Sequence, residues 1–104
     1  MGWTISHGTE ANGLISPSYR SISVLDQHLA YVLPARDWRS MAPAFGKRSG
    51  DPFTVPAAKA AHIAGLLRVA AGHRLMPHDR AQLARELADA ADRAAKARQP
   101  WEWR

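Results

Sequence analysis

The sequence predicts a small α+β domain of 104 residues, in which the N- and C-terminal strands pair and three helices pack against them. Three observations predict this class. Apolar residues alternate with polar ones near both chain ends, which is typical of half-buried strands. Between the ends, apolar residues recur at spacings of three and four, as on one face of a helix. The chain is long enough for one core but not for two, so residues 1–104 are expected to be a single domain.

The first predicted element is a strand at residues 2–6, GWTIS. Trp3 and Ile5 alternate with Thr4 and Ser6, so one face of this strand is apolar. The sequence HGTEANG follows, and its glycines and polar residues predict a loop.

A first helix is predicted within residues 16–33. Its start has two candidates, namely Ser16 as a cap before Pro17, or a capping box that begins at Ser23. Pro34 ends the helix. The apolar stripe of this helix consists of Ile22, Leu25, Leu29 and Val32.

Two further helices are predicted, one at residues 56–72 and one from Pro77 or Asp79 to about Arg98. Alanine supplies 20 residues of the chain, so we expect a thin core in which the helices approach closely. The predicted inward positions are Ala60, Ile63, Leu67 and Ala70 in the first of these helices, and Leu83, Leu87, Ala91 and Ala94 in the second.

The last residues, QPWEWR, predict a closing strand. Pro100 ends the third helix, after which Trp101 and Trp103 share one face of an extended segment. Pairing with the N-terminal strand would bring Trp3 close to them and cover the alanine-rich helices. The alternative is an exposed aromatic anchor that waits for a partner.

Composition and charge narrow the class of protein. No apolar run is long enough to span a membrane, and the N-terminus lacks the basic start and apolar stretch of a secretion signal. The chain has no cysteine, so disulfides and thiolate zinc sites are excluded. We expect a cytoplasmic protein. The net charge is +5, and its excess lies in residues 34–76, which hold seven Lys or Arg but only two Asp.

Residues 34–55 are predicted to be a long basic and aromatic loop, in which Asp37 caps one short turn. Long loops in small domains are often functional. We interpret this segment as the contact site for an acidic protein partner, since interface hot spots favour Trp and Arg. The alternative partner is nucleic acid, with Arg on phosphates and rings on bases. The candidate partner-binding residues are Arg36, Trp38, Arg39, Phe45, Lys47 and Arg48.

A third interpretation of this segment assigns it to the core. Trp38, Met41 and Phe45 would fold inward to supply bulk that the alanine-rich helices lack, while the cations face solvent.

Motifs for catalysis or metal binding are missing. The sequence contains no glycine-rich phosphate loop, no G-x-S-x-G and no H-E-x-x-H, so a small unrecognised enzyme ranks third among the functions. His62 has no Ser or Cys placed near it by the sequence to act as a nucleophile. His73, His78 and Asp79 are the nearest approach to a metal site, but their spacing is not a recurrent ligand pattern. We predict no metal and no cofactor.

Three stretches together, GWTISHG, SGDPFTVPAAKAAHIAGLLRVAAGHRLMP and QPWEWR, resemble a group of small uncharacterised proteins from streptomycetes and related actinobacteria. The resemblance covers nearly the whole chain. It implies a bacterial cytosolic origin, or a phage of such a host, and it carries over no catalytic or binding residue. The identity of the partner and the oligomeric state are left open.

Overall fold

The computed structural model describes residues 2–7, 10–42, 44–45 and 51–104. Four strands and four helices lie within these residues, so the predicted α+β class is confirmed. Their order along the chain is β1 Ile5–His7, β2 Glu10–Ile15, α1 Tyr19–Val32, α2 Ala35–Arg39, β3 Phe53–Val55, α3 Ala57–Ala71, α4 His78–Lys96 and β4 Trp101–Trp103.

The strands form an antiparallel sheet in the order β2-β1-β4-β3. The two terminal strands are neighbours at its centre, with Ile5 of β1 opposite Trp103 of β4. Just beyond them, the N–H of Thr4 donates to the carbonyl of Arg104 at 2.7 Å, and the N–H of Arg104 donates back at 2.9 Å. The predicted pairing of the two chain ends is therefore confirmed.

The two outer strands lie in segments that were predicted to be loops. β2 covers part of the HGTEANG sequence and pairs with β1, with Ile15 opposite Ile5. β3 pairs with β4, with Val55 opposite Trp101. The loop prediction is wrong at both places. β2 contains an Asn-Gly pair, which has low strand propensity, and pairing with β1 overrides that preference. β3 alternates as β4 does, with Phe53 and Val55 on either side of Thr54, but it lies between two prolines within the segment that was interpreted as a loop.

Four helices are described where three were predicted. The additional one is five-residue α2, in which Asp37 lies in the first turn and Pro34 is the N-cap, so the predicted Asp37 cap is wrong. α1 begins at neither predicted start, because the Ser18 side chain caps it by accepting from the N–H of Ser21 at 3.0 Å. α4 begins after Pro77, one of the two predicted starts. None of the helices in the described part of the chain is long and apolar enough to cross a membrane.

The core lies between the inner face of the sheet and the apolar faces of the helices. Trp101 and Trp103 are fully buried, and Trp3 is 5% exposed. The ring of Trp103 contacts those of Trp3, Phe45, Phe53 and Trp101, with centroids 5.1 to 5.8 Å apart. The C-terminal tail therefore closes the core, as predicted, and is not an exposed anchor.

Alanine side chains line the contact between α3 and α4. Because alanine is small, it allows two helices to pack at a short interaxial distance. The predicted inward positions of both helices are buried, apart from half-buried Leu83. The buried alanines are Ala60, Ala64, Ala70 and Ala71 in α3, and Ala81, Ala84, Ala88, Ala90, Ala91 and Ala94 in α4.

The chain leaves α4 and enters β4 through a left-handed turn at Arg98, whose φ is 56°. The N–H of Arg98 donates to the carbonyl of Ala95 at 3.1 Å, and the N–H of Gln99 donates to that of Ala94 at 3.0 Å. These two bonds define a Schellman motif, in which glycine usually occupies the left-handed position. Arg98 therefore carries backbone strain at the start of the tail, and Pro100 prevents the helix from continuing.

Candidate functional site

α2 is a surface helix within the segment 34–55 that was predicted to contact a partner. None of its five residues is buried. Directly after it the chain turns inward, since Met41, Ala44 and Phe45 are each at most 3% exposed. The C-terminal end of α2 is thus anchored in the core while the helix itself faces solvent.

Trp38 attaches α2 to α1. Its ring is half-buried and packs against the core. The indole Nε1–H donates to Oδ1 of Asp26 in α1, with 2.8 Å between nitrogen and oxygen. A hydrogen bond to an ionised carboxylate is stronger than one between neutral groups. The sequence singled out Trp38 but gave no signal for its acceptor.

Ser40, which follows α2, attaches the other side of the helix to α3. Its hydroxyl donates to the backbone carbonyl of Asp37 at 2.6 Å. The same Oγ lies 2.9 Å from Nε2 of His62 in α3. The sequence placed no serine near His62, because the two residues meet only through the fold. α2 is therefore held on two sides by side-chain hydrogen bonds.

Exposed basic side chains lie next to these bonded residues along α2 and α3. Arg36 and Arg39 are exposed one turn apart on α2, and the side chain of Arg36 is 88% exposed. His62 is exposed, and exposed Lys59 precedes it by one turn on α3. We call these four residues the α2 surface. Asp37 lies 3.8 Å from Nε of Arg36, whereas no described acidic side chain is within ion-pair distance of Arg39 or Lys59. Lys59 and His62 were not among the predicted site residues.

Another side of α3 shows a cation neutralised within the molecule. The guanidinium of Arg68 contacts the carboxylates of Asp92 and Asp89 in α4, at 3.0 Å for Asp89. Hydrogen bonds to Asp92 and then Asp89 raise the pKa of Arg68 above its usual value. Two acids therefore surround one base here. At α2, by comparison, three basic side chains and a histidine accompany two acids, Asp37 and the Asp26 that Trp38 binds.

Three of the predicted site residues lie in this region. Arg36 and Arg39 are exposed, and Trp38 is half-buried behind them. Lys47 and Arg48 lie outside the described residues. The structure thus brings two predicted cations and the indole together on one helix.

Phe45 occupies a different environment from the three predicted site residues on α2. It is 3% exposed, and its ring centroid lies 5.8 Å from that of Trp103. Phe45 therefore belongs to the core and offers no contact surface, as the inward interpretation of this segment proposed. The physical reason is that its large apolar ring is removed from water by packing against Trp103 in the core.

The Ser40–His62 pair resembles part of a hydrolytic site, but its hydrogen bonds run in the wrong direction for catalysis. A nucleophilic serine donates its proton to the base. Here the carbonyl of Asp37 can only accept, so it takes the single hydroxyl proton of Ser40. Nε2 of His62 must then donate to Oγ. The pair consequently fits a structural contact between α2 and α3.

The histidines near the α3–α4 turn make local contacts. Nδ1 of His73 accepts from the N–H of Leu75 at 3.1 Å. Oδ1 of Asp79 accepts from the N–H of Arg80 at 3.0 Å. Across the part of the chain that the structure describes, no three His, Asp or Glu side chains are grouped to hold a metal ion.

A groove of about 360 Å³ lies between the end of β2, the start of α1 and the first turns of α4. Ile15 and Leu83 contribute apolar surface to it, while Asp79, Arg80 and Glu86 contribute charge. Nε of Arg80 lies 3.7 Å from Oδ2 of Asp79. The groove thus combines two acids with one base, and it does not extend the cationic α2 surface.

Comparison with known proteins gives a family without an assigned activity. Residues 8–104 match a protein family described as a domain of unknown function (DUF7739). The matched range includes all four residues of the α2 surface. The chain matches no curated protein and no solved structure.

Proposed function

The chain belongs to the DUF7739 family, and we propose that it is a non-catalytic interaction module that binds an acidic protein partner through the α2 surface. The observation that carries this proposal is the exposure of Arg36 and Arg39 on a helix held from both sides. The proposal includes a cytoplasmic location, from the composition, and an actinobacterial origin, from the resemblance.

The hydrogen bonds of Trp38 and Ser40 support this proposal because they fix α2 before any partner arrives. Ordering a flexible side chain on binding costs about 0.5–1.5 kcal/mol, and ordering a loop adds to that cost. The backbone of α2 is already helical and attached to both α1 and α3. A partner therefore meets cations whose backbone positions are set in advance.

The types and surroundings of the cations favour carboxylates as ligands. Each guanidinium presents a planar set of donors that binds a carboxylate through two parallel hydrogen bonds. No acidic side chain among the described residues lies within ion-pair distance of Arg39 or Lys59. A partner segment with several Asp or Glu residues complements this surface.

The aromatic rings support a protein partner over nucleic acid. Binding of single strands depends on exposed rings that stack on bases. Phe45 is buried in the core, and Trp38 is half-buried with its N–H bound to Asp26. The cations could still contact phosphates, but the described residues of this segment lack the free rings that nucleic-acid binding was predicted to use.

The test measures binding of a fluorescent polyaspartate peptide of about 15 residues, a probe with the carboxylate chemistry of the expected partner. The double variant Arg36→Gln/Arg39→Gln should bind at least about tenfold more weakly, which is about 1.4 kcal/mol. A matched control, Arg74→Gln/Arg85→Gln, removes two exposed cations outside the α2 surface. It should change affinity by less than about twofold, because distant charges are screened by salt.

Equal weakening by both double variants would show that net charge alone attracts the peptide, and would contradict a defined site. Unchanged binding in the α2 variant would contradict the proposal as well. Duplex DNA serves as the second probe. If the chain binds DNA more tightly than polyaspartate, with a slope of log affinity against log salt near −0.9 per phosphate contact, the partner is nucleic acid.

A further inference from the structure

The groove between β2, α1 and α4 contains a carboxylate that no described cation neutralises. Glu86 accepts a hydrogen bond from the side chain of Gln82, with 3.4 Å between Nε2 and Oε1. No basic side chain among the described residues lies within ion-pair distance of Glu86. The other two charged residues of the groove pair with each other, since Nε of Arg80 lies 3.7 Å from Oδ2 of Asp79. Glu86 is therefore the charge that the groove offers to a ligand.

The size and lining of the groove suit a long side chain that ends in a cation. Its volume is about 360 Å³. Leu83 lies between Asp79 and Glu86 on one face of α4, because the three residues are spaced by four and three positions. Half-buried Ile15 and Leu83 supply apolar surface. The alkyl stem of an arginine or lysine packs on such surface while its charged end reaches a polar group.

Arg39 on α2 is the charge that complements Glu86. It is exposed, and among the described acidic side chains none lies within ion-pair distance of it. A guanidinium binds a carboxylate through two parallel hydrogen bonds. The described structure thus presents an exposed arginine and an exposed carboxylate, each without an opposite charge beside it.

The two residues cannot meet within one copy of the chain. Arg68 of α3 contacts Asp89 and Asp92 of α4, and a turn at residues 72–77 joins the two helices, so α3 and α4 run antiparallel. His62, which contacts Ser40 next to α2, therefore lies level with the last turns of α4. The groove lies at the first turns of α4, a helix of 19 residues that is about 28 Å long. α2 and the groove thus lie toward opposite ends of this helix pair.

We infer that the groove binds Arg39 of a second copy of this chain, so that copies associate head to tail through the α2 surface of one and the groove of the next. The inference rests on the proposed function, since it names the acidic partner of the α2 surface. The contact joins two different surfaces, and such contacts form rings or open filaments instead of symmetric dimers. A groove and one short helix make a small interface, so we expect a Kd on the order of 0.1–1 mM.

Sedimentation equilibrium of the full chain tests this association directly. The average mass of the wild-type protein should rise between about 0.05 and 1 mM protein, a range that includes the expected Kd. Glu86→Lys puts a like charge opposite Arg39 and should lower the affinity at least about tenfold. Glu86→Gln, which removes the charge without reversing it, should lower the affinity about threefold.

The matched control for Glu86→Lys is Gln27→Lys/Val69→Lys. It adds the same two units of positive charge at exposed positions outside both surfaces. This control should lower the affinity by less than about threefold, because distant charges are screened by salt. Equal losses in Glu86→Lys and in the control would show that net charge alone governs association, and would overturn the inference.

A mixture of two variants tests whether the contact is head to tail. Arg36→Gln/Arg39→Gln loses the cations of α2 but keeps the groove, whereas Glu86→Lys loses the groove carboxylate but keeps α2. Each variant alone should stay mainly monomeric at about 1 mM. An equimolar mixture should form a complex of two chains and nothing larger, because only one complementary pair of surfaces remains. A mixture without a complex, or a variant that associates alone as the wild-type protein does, would contradict the head-to-tail contact.

The outcomes separate this inference from the proposed function. The polyaspartate peptide competes for the α2 surface, so it should dissociate the wild-type assembly. If the wild-type protein is monomeric up to about 1 mM but binds the peptide through Arg36 and Arg39, only the assignment of the groove is wrong. If Arg36→Gln/Arg39→Gln binds the peptide as tightly as the wild-type protein, the proposed function is wrong and the inference falls with it.

Discussion

Two tryptophan-bearing segments of this chain have opposite structural roles. β4 carries Trp101 and Trp103, both fully buried, whereas α2 carries half-buried Trp38 beside two exposed arginines. In β4 the tryptophans alternate with polar residues, so both point toward the helices. In α2 the tryptophan stands between cations on a short helix, and only part of its ring is covered. The spacing of aromatic residues, more than their number, separates a core segment from a surface segment.

The two segments are also held in place by different interactions. β4 pairs with a strand on each edge and packs its indoles against other rings. The N–H groups of Trp101 and Trp103 have no acceptor in the described structure. A buried donor without an acceptor costs about 1–3 kcal/mol, so burial of the two indole rings must contribute more than this cost. Trp38, by contrast, donates to Asp26. We therefore expect β4 to be sensitive to loss of ring volume and α2 to loss of single hydrogen bonds.

The largest effect is expected at the ring that connects the aromatic cluster. Trp103→Ala should lower the free energy of unfolding by about 3–5 kcal/mol, because it leaves a cavity beside four other rings. Chemical denaturation monitored by circular dichroism measures the loss. Trp103→Phe is the control, since it keeps a ring and removes the unpaired N–H, and it should cost less than half as much. Equal losses in the two variants would contradict a role based on ring volume.

A smaller effect is expected where α2 is attached to α1. Trp38→Phe keeps most of the half-buried ring but removes the donor to Asp26. The expected loss is about 1–2 kcal/mol, the range for a hydrogen bond to a charged group. Hydrogen exchange should show faster exchange of the α2 amides while those of β4 stay protected. If protection falls equally in both segments, α2 and β4 open together, which would contradict the expectation that different interactions hold them in place.

The fold was predictable at the chain ends because a short-range pattern determines them. GWTIS and WEW each have one apolar face, and neither can bury that face alone, so their pairing follows from the sequence. β2 was not predictable in this way. Its Asn-Gly pair indicates a turn, and only hydrogen bonding to β1 makes it a strand.

The candidate site was predictable only in part, because the remaining residues join it through tertiary contacts. Arg36 and Arg39 stand out in the sequence because they flank a tryptophan in a segment with little periodicity. Phe45 belongs to the same basic and aromatic segment but lies in the core, because its ring packs against Trp103, which is distant along the chain. His62 joins the surface through Ser40, 22 residues away along the chain, and no local pattern encodes that contact.

The turn that leads into β4 offers a prediction of opposite sign. Arg98 adopts a left-handed conformation that costs a non-glycine residue about 1–2 kcal/mol. Arg98→Gly should raise the free energy of unfolding by about 0.5 kcal/mol, because glycine relieves the strain but loses more conformational entropy on folding. Thermal and chemical denaturation measure the gain. Gln99→Gly, one residue later, is the control and should not stabilise the protein. A destabilised Arg98→Gly would show that the arginine side chain contributes more than its strained backbone costs.

The smallest effects should separate a cation that serves the fold from one that is free to serve binding. Arg68→Gln should cost about 0.5 kcal/mol, because Arg68 bridges two carboxylates of α4 but is 46% exposed and screened by water. Arg39→Gln removes a cation without a described acidic partner and should cost less than about 0.3 kcal/mol. Because the pKa of Arg68 is raised in the folded protein, the stability that Arg68 contributes is fully present below the usual arginine range and is lost only at more alkaline pH. The difference in unfolding free energy between the wild-type protein and Arg68→Gln should therefore be constant between about pH 6 and 9. It should shrink in about 0.5 M salt. If Arg39→Gln costs as much as Arg68→Gln, the arginine of α2 is already occupied within the molecule and is not available to a partner.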